Sequence, residues 1–137
     1  MGVGGVVIAG GRALLIRRGH PPLAGEWSIP GGTLELGETI ADGVRRELEE
    51  ETGVQVRVLD LIEVFERIFP DGSGRPQYHF VIVDHLCEML GGEARAGGDV
   101  VDIAWAAEGD LAKFSLTPTA TRVLRKAFAM SRARKSG

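Results

Sequence analysis

The sequence has one cysteine, no long apolar run and no basic excess, and each absence removes a class of function. A lone thiol, Cys87, forms no internal disulfide, which fits a reducing cytoplasm. It sits in the apolar run Phe80 to Cys87 and reads as a buried structural thiol, not a nucleophile. No stretch approaches the roughly 18 uninterrupted apolar residues of a membrane span. Met1 to Gly10 is apolar but short, lacks a basic n-region and is broken by Gly10-Gly11, so it reads as a strand and not a signal peptide. A formal net charge of -3 argues against a nucleic-acid binder. There is no serine elbow and no Walker-type lysine loop. His20, His79 and His85 lack metal-ligand spacing and read as structural or surface residues. Repeats and low-complexity linkers are absent. What is present is an ordinary globular composition, 44% hydrophobic and 26% charged, in 137 residues. That length suits one domain, 1–137, with one good core.

Along the chain, Val3 to Ile8 and Ala13 to Arg17 predict two strands joined by the Gly10-Gly11 turn. His20 to Glu26, with Pro21, Pro22 and Gly25, predicts a loop. Trp27-Ser28-Ile29 is a short apolar segment halted by Pro30-Gly31-Gly32. Thr39 to Thr52 predicts a helix: Thr39 suits the N-cap, Ile40, Val44 and Leu48 recur at i, i+4, i+8, and Gly53 falls in the C-cap slot. Val54 to Phe69 and Tyr78 to Leu86 predict a long hairpin around the turn chemistry of Pro70 to Pro76. Gly91 to Gly98 predicts a loop, Val100 to Trp105 a strand, and Thr117-Pro118 the start of a helix with Val123, Leu124, Ala127 and Phe128 on its apolar side. The basic tail from Ser131 to Gly137 is expected to fray. Interspersed strands and helices with a hairpin imply an α/β fold, a mixed sheet flanked by helices.

One segment carries chemistry. Gly32 is followed by Glu38, then Arg46-Glu47-Leu48, Glu50-Glu51 and Gly53-Val54. On a helix turning 100° per residue, Glu47, Glu50 and Glu51 fall within about 100° of arc. Ile40, Val44 and Leu48 form the adjoining stripe that must pack on the sheet, so the three carboxylates sit at the edge of the buried face. Like charges at these spacings cost about 0.2–0.5 kcal/mol per pair, which suggests a cation that offsets them. Oxygen-only ligands favour a hard ion, magnesium or, as an alternative, manganese, which also binds substrate phosphates. Arg46 lies one turn before Glu50, so an intrahelical ion pair is its expected role. Glu49, on the far side of the helix, is assigned to solvent, and so is Glu35.

The spacing G-x5-E-x7-R-E-U-x-E-E-x-G-U, where U is a bulky aliphatic residue, is matched at every position from Gly32 to Val54 and resembles the box of the Nudix hydrolases. Seven of its nine positions demand one residue type, so a chance match has a probability on the order of 10⁻⁷ at ordinary residue usage. LLIRR before the box and WSIPGG at its start are similar to the family's approach to it.

The resemblance implies an α/β/α sandwich and a magnesium-dependent cleavage of a pyrophosphate bond by water. It maps Glu47, Glu50 and Glu51 onto the family's metal-binding carboxylates, the Gly31 carbonyl onto a backbone metal ligand, and Glu38 onto the first acidic position of the box. It also implies an acidic ligand or base in the loop before the last strand, where Asp99 stands and Asp102 competes. Arg17 and Arg18 end the strand leading to the expected substrate cleft; adjacent strand residues point oppositely, so one of them reaches phosphate, Arg18 slightly favoured. Trp27 and Tyr78 are placed equally for stacking on a base or for core packing.

YHFVIVDHLCEMLGG, AGGDVVDIAW and SLTPTATRVL resemble a short bacterial subgroup called ADP-ribose pyrophosphatase-like, and Pro70, 16 residues after Val54, agrees with that subgroup. The expected substrate is therefore a nucleoside diphosphate linked to another group, ADP-ribose or a related nucleotide sugar. Pyrophosphohydrolysis of nucleoside triphosphates is the alternative; a non-catalytic nucleotide-sensing module is remote, because the box is whole. The expected partner is a small nucleotide, with no nucleic acid and no membrane. A homodimer is left open, and the expected location is the cytoplasm.

Overall fold

In chain order the elements are β1 (Gly2–Ala9), β2 (Arg12–Arg18), β3 (Trp27–Ser28), β4 (Gly31–Thr33), α1 (Ile40–Thr52), β5 (Val54–Pro70), β6 (Pro76–Gly92), β7 (Val100–Ala107), a 3-10 helix (Glu108–Phe114) and α2 (Pro118–Ser136). The computed structural model describes residues 1–20 and 24–136. Of the expected loop before Trp27, Pro21 and Pro22 lie outside the described residues. The turn between β1 and β2 has φ of 59° at Gly10 and 75° at Gly11, the pair of positive values that a type I′ hairpin turn needs.

The sheet is mixed, as its sequence pattern implies. One edge of β1 runs parallel to β6, from Gly2 opposite Ile82 to Val7 opposite Cys87. The other edge is divided: Gly2 to Gly4 pair with β4, and Ile8 and Ala9 pair with β2. β5 lies antiparallel to β6, and β2 also pairs antiparallel with β3 and β7. β6 is longer than expected at both ends, because Gly91 and Gly92 still pair with Gln55 and Val54. The expected Gly-rich loop therefore begins only at Glu93. At the hairpin tip the Asp71 carboxylate accepts hydrogen bonds from the backbone of Ser73 at 2.8 Å and Arg75 at 3.0 Å. This is the local Asx chemistry expected of that turn.

Strand alternation divides the core into two layers. Val3, Val7 and Leu14 face α1, where they meet Val44 and Leu48. Val6, Ala13 and Leu15 face α2, where they meet Val123, Leu124, Ala127 and Phe128. The result is helix, sheet, helix, the expected sandwich. Gly5 lets α1 approach closely; a Cβ there would lie 2.7 Å from Leu48 and 2.9 Å from Val44. Thr39 caps α1, its hydroxyl accepting from the Asp42 N–H at 3.1 Å, and Gly53 closes it in the left-handed region with φ 72°.

The expected fraying of the C-terminal tail is not observed, because α2 continues to Ser136. Arg132 pairs with Glu108 at 2.8 Å, and Arg134 pairs with Asp60 at 3.0 Å. Arg134 and Lys135 also complement the helix C-terminus. The 3-10 helix, which the residue pattern did not announce, buries Leu111 in the α2-side core.

Candidate active site

The i, i+3 and i, i+4 spacing of α1 delivers Glu47, Glu50 and Glu51 to one side of the helix, and the chain on either side of the box closes on them. Arg46 is the hub. Its Nε donates to Glu38 Oε2 at 2.7 Å, and one terminal nitrogen donates to Glu38 Oε1 and to the Thr33 carbonyl, both at 3.0 Å. The other terminal nitrogen donates to Glu47 at 2.8 Å and to Glu50 at 3.3 Å. The expected Arg46–Glu50 pair is thus present but is the longest of these contacts. The shorter ones reach Glu38 in the loop before the helix and Glu47 beside it. Glu35 lies 3.7 Å from the same guanidinium and is exposed, as expected.

The carboxylates differ in electrostatic state. The hydrogen bonds from Arg46, joined by the Glu35 N–H, hold Glu38 below the usual carboxylate range. Burial pushes Glu47 up against the opposing pull of Arg46. Burial, and then the negative charge of Glu47, pushes Glu51 up to about 8. The Gly31 N–H donates to Glu51 at 2.8 Å, tying the box helix to β4. Gly32 is needed for space: a Cβ there would lie 2.5 Å from the Glu47 carboxyl. Glu50 is the open member, its side chain 58% exposed.

The loop after β6 completes the cleft. The N–H groups of Arg95 and Gly97 donate to the carbonyls of Thr52 and Glu51, and the Gly19 N–H donates to the Asp99 carbonyl, all at 2.9 Å. These bonds set Asp99 across from α1, 3.2 Å from His20, with its side chain open to solvent. The cleft so formed has a volume of about 530 Å³; Arg18, Arg46, Glu47, Glu50, Glu51 and Asp99 are among its walls.

A second cavity of about 200 Å³ adjoins it and shares Arg18 and Gly31 to Thr33. Its walls are apolar and aromatic, with Phe65 and Phe69 from β5 and Phe80 from β6, and Asp84 also lines it.

The NUDIX domain family matches residues 1–127. This chain belongs to the NUDIX family. An ADP-ribose pyrophosphatase of Methanocaldococcus jannaschii is 36% identical over 97 residues, which are 71% of this chain and 55% of that protein. The chain therefore spans little more than half the length of that relative. A MutT-like protein of Streptomyces ambofaciens is 33% identical over 123 residues, 89% of this chain and 73% of that protein. Among solved structures, a MutT NUDIX hydrolase from Burkholderia pseudomallei superposes with a TM-score of 0.78 at 32% identity, over 91% of this chain and 95% of that one.

Gly32, Arg46, Glu47, Glu50 and Glu51 of the Nudix box thus share one cleft with Arg18 and Asp99, while Glu38 stands behind Arg46 and does not line it. Arg17 does not line it: its Nε donates to the Gly25 carbonyl at 3.1 Å on the exposed surface. Asp102 is engaged locally, accepting from the Ile103 N–H at 2.8 Å. Trp27 packs edge-to-face on Phe114 with ring centroids 5.2 Å apart, within the α2-side core, and lines neither cavity. Tyr78 stacks on Phe80 at 6.1 Å on the outer hairpin. Cys87 is buried, and burial pushes its thiol up to about 12.

Among the described residues no three acidic or histidine side chains form a ready metal cage. The donor set nonetheless suits a hard divalent cation. Magnesium usually takes one or two carboxylates, keeps several waters and uses substrate phosphates, so a complete protein cage is not required. Two raised carboxylates side by side, Glu47 and Glu51, are the charge that such an ion offsets.

Residue reasoning missed the second cavity. Its signal was the alternation of Phe65, Arg67 and Phe69 on β5 and of Phe80, Ile82 and Asp84 on β6. On β6 the acid Asp84 follows two apolar residues, and on β5 Arg67 stands between two phenylalanines.

Proposed function

We propose that the protein hydrolyses, with magnesium, the pyrophosphate bond of a nucleoside diphosphate linked to another group, ADP-ribose or a related nucleotide sugar foremost. The observation that carries this reading is the junction of two unlike chambers. An acidic cleft fit for cation-bound phosphates opens onto an aromatic cavity fit for a nucleoside, with Arg18 on both. The name of the M. jannaschii relative supports the same substrate class.

Glu47, Glu50, Glu51 and the Gly31 carbonyl would hold the cation, which neutralises phosphate charge and makes a bound water more acidic. Glu38 and Arg46 are positioning residues: Glu38 is fully engaged by the guanidinium and below the usual carboxylate range, so it is a poor proton acceptor. Glu51 is almost excluded from solvent and bound by the Gly31 N–H. Taking the proton from an attacking water in the cleft therefore falls to an open carboxylate, Glu50 or Asp99. Arg18 is assigned to a substrate phosphate.

Nucleoside triphosphate pyrophosphohydrolysis is the second reading, supported by the MutT names of the S. ambofaciens and B. pseudomallei proteins. A panel of nucleotides assayed with magnesium, with products identified, decides between them. ADP-ribose should yield AMP and ribose 5-phosphate. A catalytic efficiency at least tenfold higher for any triphosphate would overturn the first reading.

A further inference from the structure

β5 is the last strand of the sheet and pairs on one side only, with β6. From Glu63 to Phe69 that pairing runs without a break, between register shifts at Leu61/Glu63 and Phe69/Pro70. Alternate residues of a strand turn their N–H and C=O to one edge and then to the other. Along this stretch the outer edge receives no hydrogen bond from any described residue. It therefore offers an open ladder to an incoming strand. Sheets usually blunt such an edge with proline, lysine or a bulge. Neither proline nor lysine stands between Glu63 and Phe69, and the irregularities fall only at its ends. Val64 and Ile68 are each 53% exposed.

The charges of the stretch decide what can pair there. A two-fold antiparallel pair of identical strands must centre on a residue, because directly opposed side chains share a face and neighbours along a strand do not. Within Glu63 to Phe69, centres at Phe65, Glu66 and Arg67 give a ladder of five residues or more. A centre at Glu66 sets that acid against its own copy, and a centre at Arg67 sets two arginines face to face. Like charges directly opposed destabilise a strand pair. A centre at Phe65 opposes Phe65 to itself and, twice over, Glu63 to Arg67 and Val64 to Glu66. In that register alone the opposite charges meet and no like charges do. The two charges are also free to meet. Arg67 makes no ion pair among the described residues, its guanidinium lying over the Phe69 ring. Glu63, paired with Arg122 of α2, keeps lone pairs for a second donor. Both stand on the face that Phe65 turns to the α2-side core.

We propose that β5 is a dimerisation edge: two copies of this chain pair their β5 strands antiparallel about a two-fold axis through Phe65, joining two sheets into one. Each Arg67 then lies across from the partner's Glu63, at both ends of the short ladder. Such an interface is isologous, closes on itself and leaves no further edge to extend a fibre.

Sedimentation of the intact protein tests the association, and substitutions test its register. The parent should be largely dimeric at about 100 µM, for a dissociation constant in the micromolar range. A monomer at that concentration overturns the proposal and leaves the edge to some other chain. Val64 opposes the partner's Glu66, so Val64→Lys should dimerise at least tenfold more tightly than Val64→Glu. The same two substitutions at Leu90, exposed near the far end of the β5–β6 pairing, should differ less than threefold, which separates register from net charge. Arg67→Glu sets two acids against each other and should weaken the dimer tenfold or more. Phe65→Cys, on the axis, should link two copies by a disulfide on mild oxidation, because opposed Cα atoms in a ladder lie about 4.5–5.5 Å apart. Val64→Cys, whose copies lie about 8 Å apart by strand spacing and rise, should not. Cys87 is buried, and the parent oxidised in parallel should give no link. A dimer indifferent to the sign of the charge at Val64, or one that links at 64 as readily as at 65, uses another surface or register and overturns the proposal. If Arg67→Glu or Phe65→Cys does not fold, the exposed Val64 pair with its Leu90 control decides.

Discussion

The acidic cleft and the aromatic cavity share Arg18 and a few residues of backbone, yet treat buried charge in opposite ways. In the cleft, the carboxylates have hydrogen-bond partners: Arg46 spans Glu38, Glu47 and Glu50, and the Gly31 N–H donates to Glu51, which burial still pushes up to about 8. In the cavity, Asp84 has no such partner. The cleft is a site whose charge the protein partly balances; the cavity is one whose polar groups are left open. A surplus acid tied to an arginine is compatible with stable folding whatever binds. An acid left alone in an apolar pocket costs stability, and is informative for that reason.

The largest expected effect breaks the acidic side. Glu50→Gln should lower turnover at least a hundredfold, about 2.7 kcal/mol in barrier, with the fold intact, because the side chain is 58% exposed and its bond to Arg46 is 3.3 Å long. Magnesium should raise the melting temperature of the parent more than that of the variant. A variant that stays active would remove the metal-site reading of α1.

On the cavity side the expected effect is on stability against pH. Asp84 titrates near 3.8 when free and near 7 in the fold. The folded state thus prefers the protonated form; that stabilisation is complete below about pH 4 and is lost as pH rises through about 7. The loss is on the order of a few kcal/mol, since a tenfold difference in proton affinity between folded and unfolded chain corresponds to about 1.4 kcal/mol. Asp84→Asn has no such titration, so denaturant melts between pH 4 and 8 should give a flatter stability curve than the parent's. Glu51, raised to about 8, adds its own slope to both proteins, so the difference between the curves isolates Asp84. Parallel curves would show that Asp84 is compensated after all, and the contrast between the chambers would fall.

A smaller effect sharpens the contrast. Arg46→Met removes the shared partner of three acids, and should lower the melting temperature by several degrees at pH 7 and by less in acid, where Glu47, held above the usual carboxylate range by burial, is readily protonated. Equal losses in both conditions would mean that Arg46 acts mainly through the packing of its stem.

Much of this was legible because it is local. The Gly10-Gly11 turn, the Thr39 and Gly53 caps and the Ile40, Val44, Leu48 stripe follow from propensity and period, and all appear as expected. The Arg46 network was only partly legible. Spacing proposes the i, i+4 partner Glu50, whereas the fold supplies Glu38, eight residues earlier and invisible to helix periodicity. Trp27 was readable as an aromatic near the box, but its packing on Phe114 depends on a 3-10 helix formed far along the chain.

The sequence by itself determined the helix, its caps and the grouping of Glu47, Glu50 and Glu51, since 100° per residue fixes which side chains share a face. Tertiary structure alone decided the second chamber. Phe65, Phe80, Asp84, Ser28 and Arg18 come from β5, β6, β3 and β2 and meet only because these strands, with β1 between β6 and β2, pair in one register. A slip of one residue along β6 would turn Asp84 to the α1 face and bring Val83 or His85 to the cavity, because strand side chains alternate with period two and nothing within the segment itself says which face will be enclosed.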